Sequence, residues 1–199
     1  MKPAVLDHVH AAALPLAGLT AYQSLIDVAD VRAGQRVLIH GAGGGVGHIA
    51  VQIVVARGAH VIATASTAKH AFVRDLGAHE VIDYQTVDFA ERIRDVDVVL
   101  ESIGRGYAER SLQVLRPGGL LLTIVERRNM ELARKARAAG RRFAGVVVEP
   151  DHFGLEKLSD LVESGKLRVH VECVFRLAEA ARAHEQLTGR TKGKLVLTL

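Results

Sequence analysis

The chain has 199 residues with 49% hydrophobic and 24% charged side chains, a balance that permits a buried core and describes a soluble globular protein of one main domain. Its single cysteine, Cys173, excludes an internal disulfide and a thiolate zinc site, and no cleavable signal is evident, so a reducing cytoplasm is the expected compartment. The net charge of +4 invites a nucleic-acid or anionic partner, but aromatics are only 4% of the chain and none interleave with the basic run, so nucleic acid is a poor second reading.

The first long apolar stretch, AAALPLAGLTAYQSLI (11–26), is shorter than a bilayer span and contains Pro15, and reads as a buried helix; no membrane is implied. Beyond it, apolar and β-branched runs at 36–40, 60–64, 80–83, 96–100, 119–125 and 143–148 are too continuously hydrophobic for half-exposed strands and predict buried parallel ones. Helical patterns at 46–57, 68–76, 86–93, 107–115 and 129–139 alternate with them, ended by Gly58, Gly77 and the PGG at 117–119. The segment 126–142 around the last of these carries Arg127, Arg134 and Arg141, with Arg128, Lys135 and Arg142 one step on, and a helix there would show a solvated basic stripe. Strand and helix in six-fold alternation predict an α/β, doubly wound Rossmann sheet of six parallel strands over 1–150. Residues 151–199 add two further helix and strand pairs, 154–164 with 168–175 and 177–187 with 194–199, beyond what that sheet requires.

The turn after the first strand, HGAGGGVGH, holds five glycines in seven positions. Ala42, Gly44 and Gly47 fill the three positions of a dinucleotide fingerprint as A-x-G-x-x-G, followed by a helix and then a second strand at the expected distance. Such a turn lets a pyrophosphate approach backbone N–H groups at the positive end of a helix. The end of the second strand lacks the Asp or Glu that would hold the ribose hydroxyls of NAD. It offers Ser66, Thr67, Lys69 and His70 instead, which favours NADP(H) with its additional phosphate. Ser66 and Thr67 are also natural N-cap residues for the next helix, and Arg74 reads as a surface charge.

These segments, together with LGAHEVIDY, VVLESIG, SLQVLRPGG and GKLVLTL, resemble the zinc-independent quinone oxidoreductases of the medium-chain dehydrogenase/reductase superfamily over essentially the whole chain. The resemblance implies NADPH as cofactor. It implies that Gly44, Gly45, Val46 and Gly47 meet the pyrophosphate, that Ser66 and Lys69 meet the 2′-phosphate, and that Tyr84 of the IDY motif lines the adenosine end. At the carboxyl end of the fourth strand, Glu101-Ser102-Ile103-Gly104 replaces the family's usual Asp-Thr-Val-Gly. Ser102, Ile103 and Val125 become candidate nicotinamide contacts, although Ile103 and Val125 read equally well as core. The GGLLLTIVERRN segment (118–129) lacks the Gly-Lys-Thr-Asp run of polyketide enoyl reductases.

Family members begin with a GroES-like domain, and this chain starts at the connecting helix. The C-terminal pairs are therefore expected to be segments left over from a missing catalytic domain, with strands 168–175 and 194–199 lacking a partner. No catalytic residue is assigned. The ten histidines show no H-x-x-x-H spacing, His8 and His10 diverge on a helix, and no nucleophile elbow is present, so neither a metal site nor a hydrolase is expected. The expected function is reduction of a quinone or activated C=C bond, with a small-molecule electron acceptor as partner; the alternative is an NADP(H)-binding module or partner subunit with no turnover of its own. A homodimer through the edge strand at 143–148 is expected from the same resemblance.

Overall fold

The computed structural model describes residues 2–187 and 191–199. Six strands, β1 (Arg36–Ile39), β2 (His60–Ala65), β3 (Glu80–Asp83), β4 (Val96–Glu101), β5 (Leu115–Thr123) and β6 (Arg142–Gly145), form one parallel sheet in the order β3-β2-β1-β4-β5-β6. Strand direction of growth reverses between β1 and β4, and the carboxyl ends on either side of that switch frame the crevice where ligands of such sheets bind.

The continuous apolar strands are explained by burial on both faces. Val37, Ile39, Val61, Ala63, Val98 and Leu100 join one core; Leu38, Ile62 and Val99, alternate residues of the same strands, join another. The first core is closed by α2 (Pro15–Tyr22), α3 (Gly47–Ala56) and α8 (His152–Glu163), which contributes Leu158 and Val162. The second is closed by α5 (Phe89–Arg92), α6 (Tyr107–Val114) and α7 (Met130–Ala138). Several helices start on a side-chain cap: Asp88 accepts from Ala90 N, Asn129 from Leu132 N, and Asp151 from Phe153 N and Gly154 N. The short α4 (His70–Asp75) follows a 3₁₀ turn at Thr67–Lys69.

Four expectations are corrected. The stretch 11–26 is not one helix: α1 (His8–Ala13) closes at Leu14, α2 restarts with Pro15 at its first position, and Gln23–Val28 winds as a π-helix. The fifth strand starts earlier and ends earlier than 119–125, because Arg116–Gly118 continue the strand from Leu115, which pairs with Val96 across a register shift. The sixth strand is Arg142–Gly145 rather than 143–148, and Val146 is already buried behind it. Finally, the C-terminal strands β7 (Val171–Arg176) and β8 (Lys194–Thr198) pair with each other in parallel, joined through a 3₁₀ turn and α9 (Ala180–Gln186), instead of standing alone. No helix among the described residues is long and apolar enough to cross a membrane.

Candidate functional site

A cleft of about 710 Å³ runs along the carboxyl ends of the sheet, within the range that encloses small-molecule ligands. Its floor is the glycine turn between β1 and α3. Gly47 is required by the protein itself, since a Cβ there would sit 2.2 Å from Gly41 O and 2.7 Å from Ala42 Cα, and this contact seats α3 against the turn. Ala42 is correspondingly fully buried beneath the loop and does not line the cleft. Gly44 differs: a Cβ there would meet only Gly41 O, at 3.2 Å, among the described atoms. Helix α3 has no side-chain cap, and the N–H groups of Gly45, Val46 and Gly47 have no hydrogen-bond partner among the described residues. Uncapped N–H groups at the positive end of a helix, beside a backbone free of side chains, fit a diphosphate.

A wall the sequence reading missed closes one side of this loop. Leu187, Thr191 and Gly193 line the cleft, Gly193 N donates to Gly43 O at 3.0 Å, and Lys194 packs over Gly45, its Cδ 3.1 Å from where a Cβ would be. His48 anchors this arrangement. Its Nδ1 donates to Gly44 O at 2.9 Å while its Nε2 accepts from His170 N at 3.3 Å, and burial pushes the imidazole down to about 4, so it serves as a neutral spacer.

At the end of β2, Ser66 lines the cleft, and its side chain does not cap the 3₁₀ turn that follows. Thr67 is diverted from the cleft: its hydroxyl donates to the Asp83 carboxylate, which also accepts from Gln85 N, and these bonds hold Asp83 below the usual carboxylate range. Lys69 lines the cleft and is buried. Its stem fills the space beside Gly43, with Cδ 2.7 Å from a Cβ placed there, and its Nζ donates to Thr191 O at 2.7 Å. Burial lowers the affinity of that ammonium for its proton. Tyr84, just past β3, lines the same end and is 45% exposed, so it is not core.

At the other end, Ser102 and Ile103 follow β4. The Ser102 hydroxyl donates to His40 O at 2.9 Å, tying this loop to β1. Ile103 is 40% exposed and Val125 49%, which removes the core reading for both. Val125 stands outside the lining, and its neighbour Ile124 supplies the apolar surface instead, because β5 ends at Thr123 and strand alternation no longer sets the direction of residues 124 and 125. Nine of the expected residues are thus brought to one cleft (Gly44, Gly45, Val46, Gly47, Ser66, Lys69, Tyr84, Ser102 and Ile103), while Ala42, Thr67 and Val125 are not.

Residues 76–197 match the family model described as zinc-binding dehydrogenase. Over 212 aligned residues the chain is 39% identical to a 2-haloacrylate reductase of Burkholderia sp, the match covering 96% of this chain and 64% of that protein. It superposes on the quinone oxidoreductase from Coxiella burnetii with a TM-score of 0.95 and 38% identity, covering all of this chain and 63% of the other. It superposes on the CurK enoyl reductase at 0.87 and 33%, covering 99% and 65%. The chain therefore spans less than two thirds of the length of these relatives. As to zinc, no group of three or more His, Cys, Asp or Glu that could hold a metal occurs among the described residues, and Cys173 is engaged by the Gln186 amide at 3.3 Å, so the residues present do not fit a zinc centre. The glycine turn, the sheet order and these likenesses place the chain in the medium-chain dehydrogenase/reductase superfamily, among its quinone-oxidoreductase-like members.

Proposed function

We propose that this chain is the NADPH-binding part of an oxidoreductase that reduces quinones or activated C=C bonds. The observation that carries the proposal is the uncapped N-terminus of α3, with three N–H groups unspent among the described residues, over a loop that leaves room for a diphosphate at Gly44. Bound coenzyme supplies the hydride. The protein's own residues bind and orient: Gly44 to Gly47 hold the bridge, Ser66 and Lys69 face the 2′-phosphate, Tyr84 flanks the adenosine, and Ser102 with Ile103 and Ile124 shape the nicotinamide end. Residues 1–150 carry the binding surface, and 151–199 contribute the wall at Thr191 and Gly193. The electron acceptor is a small molecule, the compartment is the cytoplasm, and neither a membrane nor a nucleic acid takes part. Quinone and haloacrylate reduction are named for relatives at 38% and 39% identity, which supports an electron-poor acceptor.

A second reading, a binding module without turnover, is favoured by one feature. Ile103, which lines the nicotinamide end, is 40% exposed, so this chain's own side chains leave the hydride-bearing end in contact with water. Calorimetry with NADPH and NADH, followed by assays against a panel of quinones and enones, separates the outcomes. Heat with NADPH, weaker heat with NADH and acceptor-dependent oxidation support the first reading. Binding without oxidation selects the second. No heat with either coenzyme on folded protein overturns both.

A further inference from the structure

Glu101 is a fully buried carboxylate at the end of β4, and it does not line the cleft. A buried carboxylate costs several kcal/mol unless its oxygens are satisfied, so its bonds indicate what it is for. Oε1 accepts the N–H of Ile103 at 2.5 Å and of Gly104 at 2.6 Å; Oε2 accepts the hydroxyl of Thr123 at 2.8 Å. Thr123 is its register partner on β5 and is equally buried. The Thr123 oxygen in turn receives the N–H of Val125 at 3.2 Å and of Glu126 at 3.0 Å. One carboxylate and one hydroxyl thus engage two backbone donors from each of two loops, 102–104 and 124–126. Those loops carry Ile103 and Ile124, and they touch: a Cβ on Gly104 would lie 3.3 Å from Val125 Cγ1.

We infer that the Glu101–Thr123 pair positions these two loops as the apolar wall of the nicotinamide end, and that it acts on that end of the coenzyme alone. This rests on the coenzyme reading above. The donor count makes the pair specific. Both lone pairs of the Thr123 hydroxyl are occupied by N–H groups, so its proton has to go to Glu101, which accepts in all three of its bonds. Glu101→Gln turns an NH₂ either onto the saturated Thr123 oxygen or onto the N–H groups of Ile103 and Gly104, setting donor against donor in both orientations. Thr123→Val keeps the shape and removes the hydroxyl, releasing Val125 N and Glu126 N. Thr123→Ser keeps the hydroxyl.

The test compares NADPH with 2′,5′-ADP, which has the adenosine end and no nicotinamide, by calorimetry on the full chain, with melting temperature and the fluorescence of bound NADPH recorded alongside. The expected result is that Glu101→Gln and Thr123→Val hold 2′,5′-ADP within about twofold, weaken NADPH about tenfold and lose the fluorescence change, while Thr123→Ser matches the parent. Folded variants in which both ligands weaken together, or in which NADPH binding is unchanged, overturn the inference. Should Glu101→Gln fail to fold, Thr123→Val decides; unfolding of both assigns the pair to general core stability and also overturns it. A parent protein that binds neither ligand refutes the coenzyme reading itself, a result distinct from the others.

Discussion

At the scale of single residues, the coenzyme reading proposed above makes the end of β2 the place where NADPH and NADH are expected to be told apart. Ser66 presents to the cleft a hydroxyl with no partner among the described residues, whereas Thr67 spends its own on Asp83 and Lys69 donates to Thr191 O. A carboxylate at Ser66 would meet a phosphate dianion at close range, with the Asp83 charge on the neighbouring strand adding to the repulsion. Ser66→Asp is therefore expected to weaken NADPH by at least about tenfold while leaving NADH binding unchanged or improved, read as the ratio of the two dissociation constants by calorimetry. Loss of both together would place Ser66 outside the phosphate site. Residue types and spacing made Ser66, Lys69 and the glycine positions legible, because their chemistry is local. Thr67 and Asp83 were not: they are 16 residues apart in sequence and meet only because β2 and β3 are paired. Gly193 on Gly43, an approach across 150 positions, carries no local signal at all.

At the scale of elements, two buried histidines tie strands and helices together and make stability depend on pH. His40, the residue just past β1, lies between the Thr64 and Ser111 hydroxyls, each at 3.0 Å, with Phe89 and Tyr107 edge-on to its ring. Burial, with a smaller push from Arg110, takes it to about 3, and burial takes His48 to about 4, both from an ordinary 6.5. The unfolded chain protonates these imidazoles near pH 6.5 and the folded chain does so only far below. Their contribution is therefore complete above about pH 6.5 and is lost as the pH falls, towards 4 for His48 and towards 3 for His40. At about pH 5 each costs the fold about 2 kcal/mol relative to pH 7, so urea midpoints should drop steeply across that interval. An unchanged midpoint would mean that both rings take up protons in the folded state. The strands were readable because burial on both faces forces unbroken apolar runs, and β3 coincides with its expected range. The start of β5 was hidden by its Pro-Gly-Gly, which normally breaks a strand and here continues one, and the π-helix at Gln23–Val28 has no pattern of its own.

At the scale of the whole molecule, the sheet has two open sides, β3 and β6, and they are not equivalent. The β6 side ends in GVVV, with Val147 54% exposed although its neighbour Val146 is buried. Val146 N donates inward to Thr123 O at 2.9 Å, so by the alternation of a ladder the N–H groups of Phe143 and Gly145 face outward, and a strand continued past Gly145 by pairing with a second copy would turn that of Val147 the same way. Proline at Val146 would thus break a bond inside the chain and could not report on association. An outward row of donors and acceptors, followed by an exposed valine, is an edge that a second copy can extend about a two-fold axis, giving each chain the same self-complementary contact. Val147→Pro removes the donor that such an extended edge would use and leaves the inward bond of Val146 in place. The expected outcome is a fall from dimer to monomer mass in light scattering with an unchanged melting temperature and unchanged NADPH binding, since the cleft is framed by β1 to β5 and the segment around Gly193. A parent chain that is monomeric at high concentration, or a proline variant that remains a dimer, would remove this edge from the assembly and direct attention to the exposed face of β7 and β8, where Val174 and Leu197 are 49% and 41% exposed.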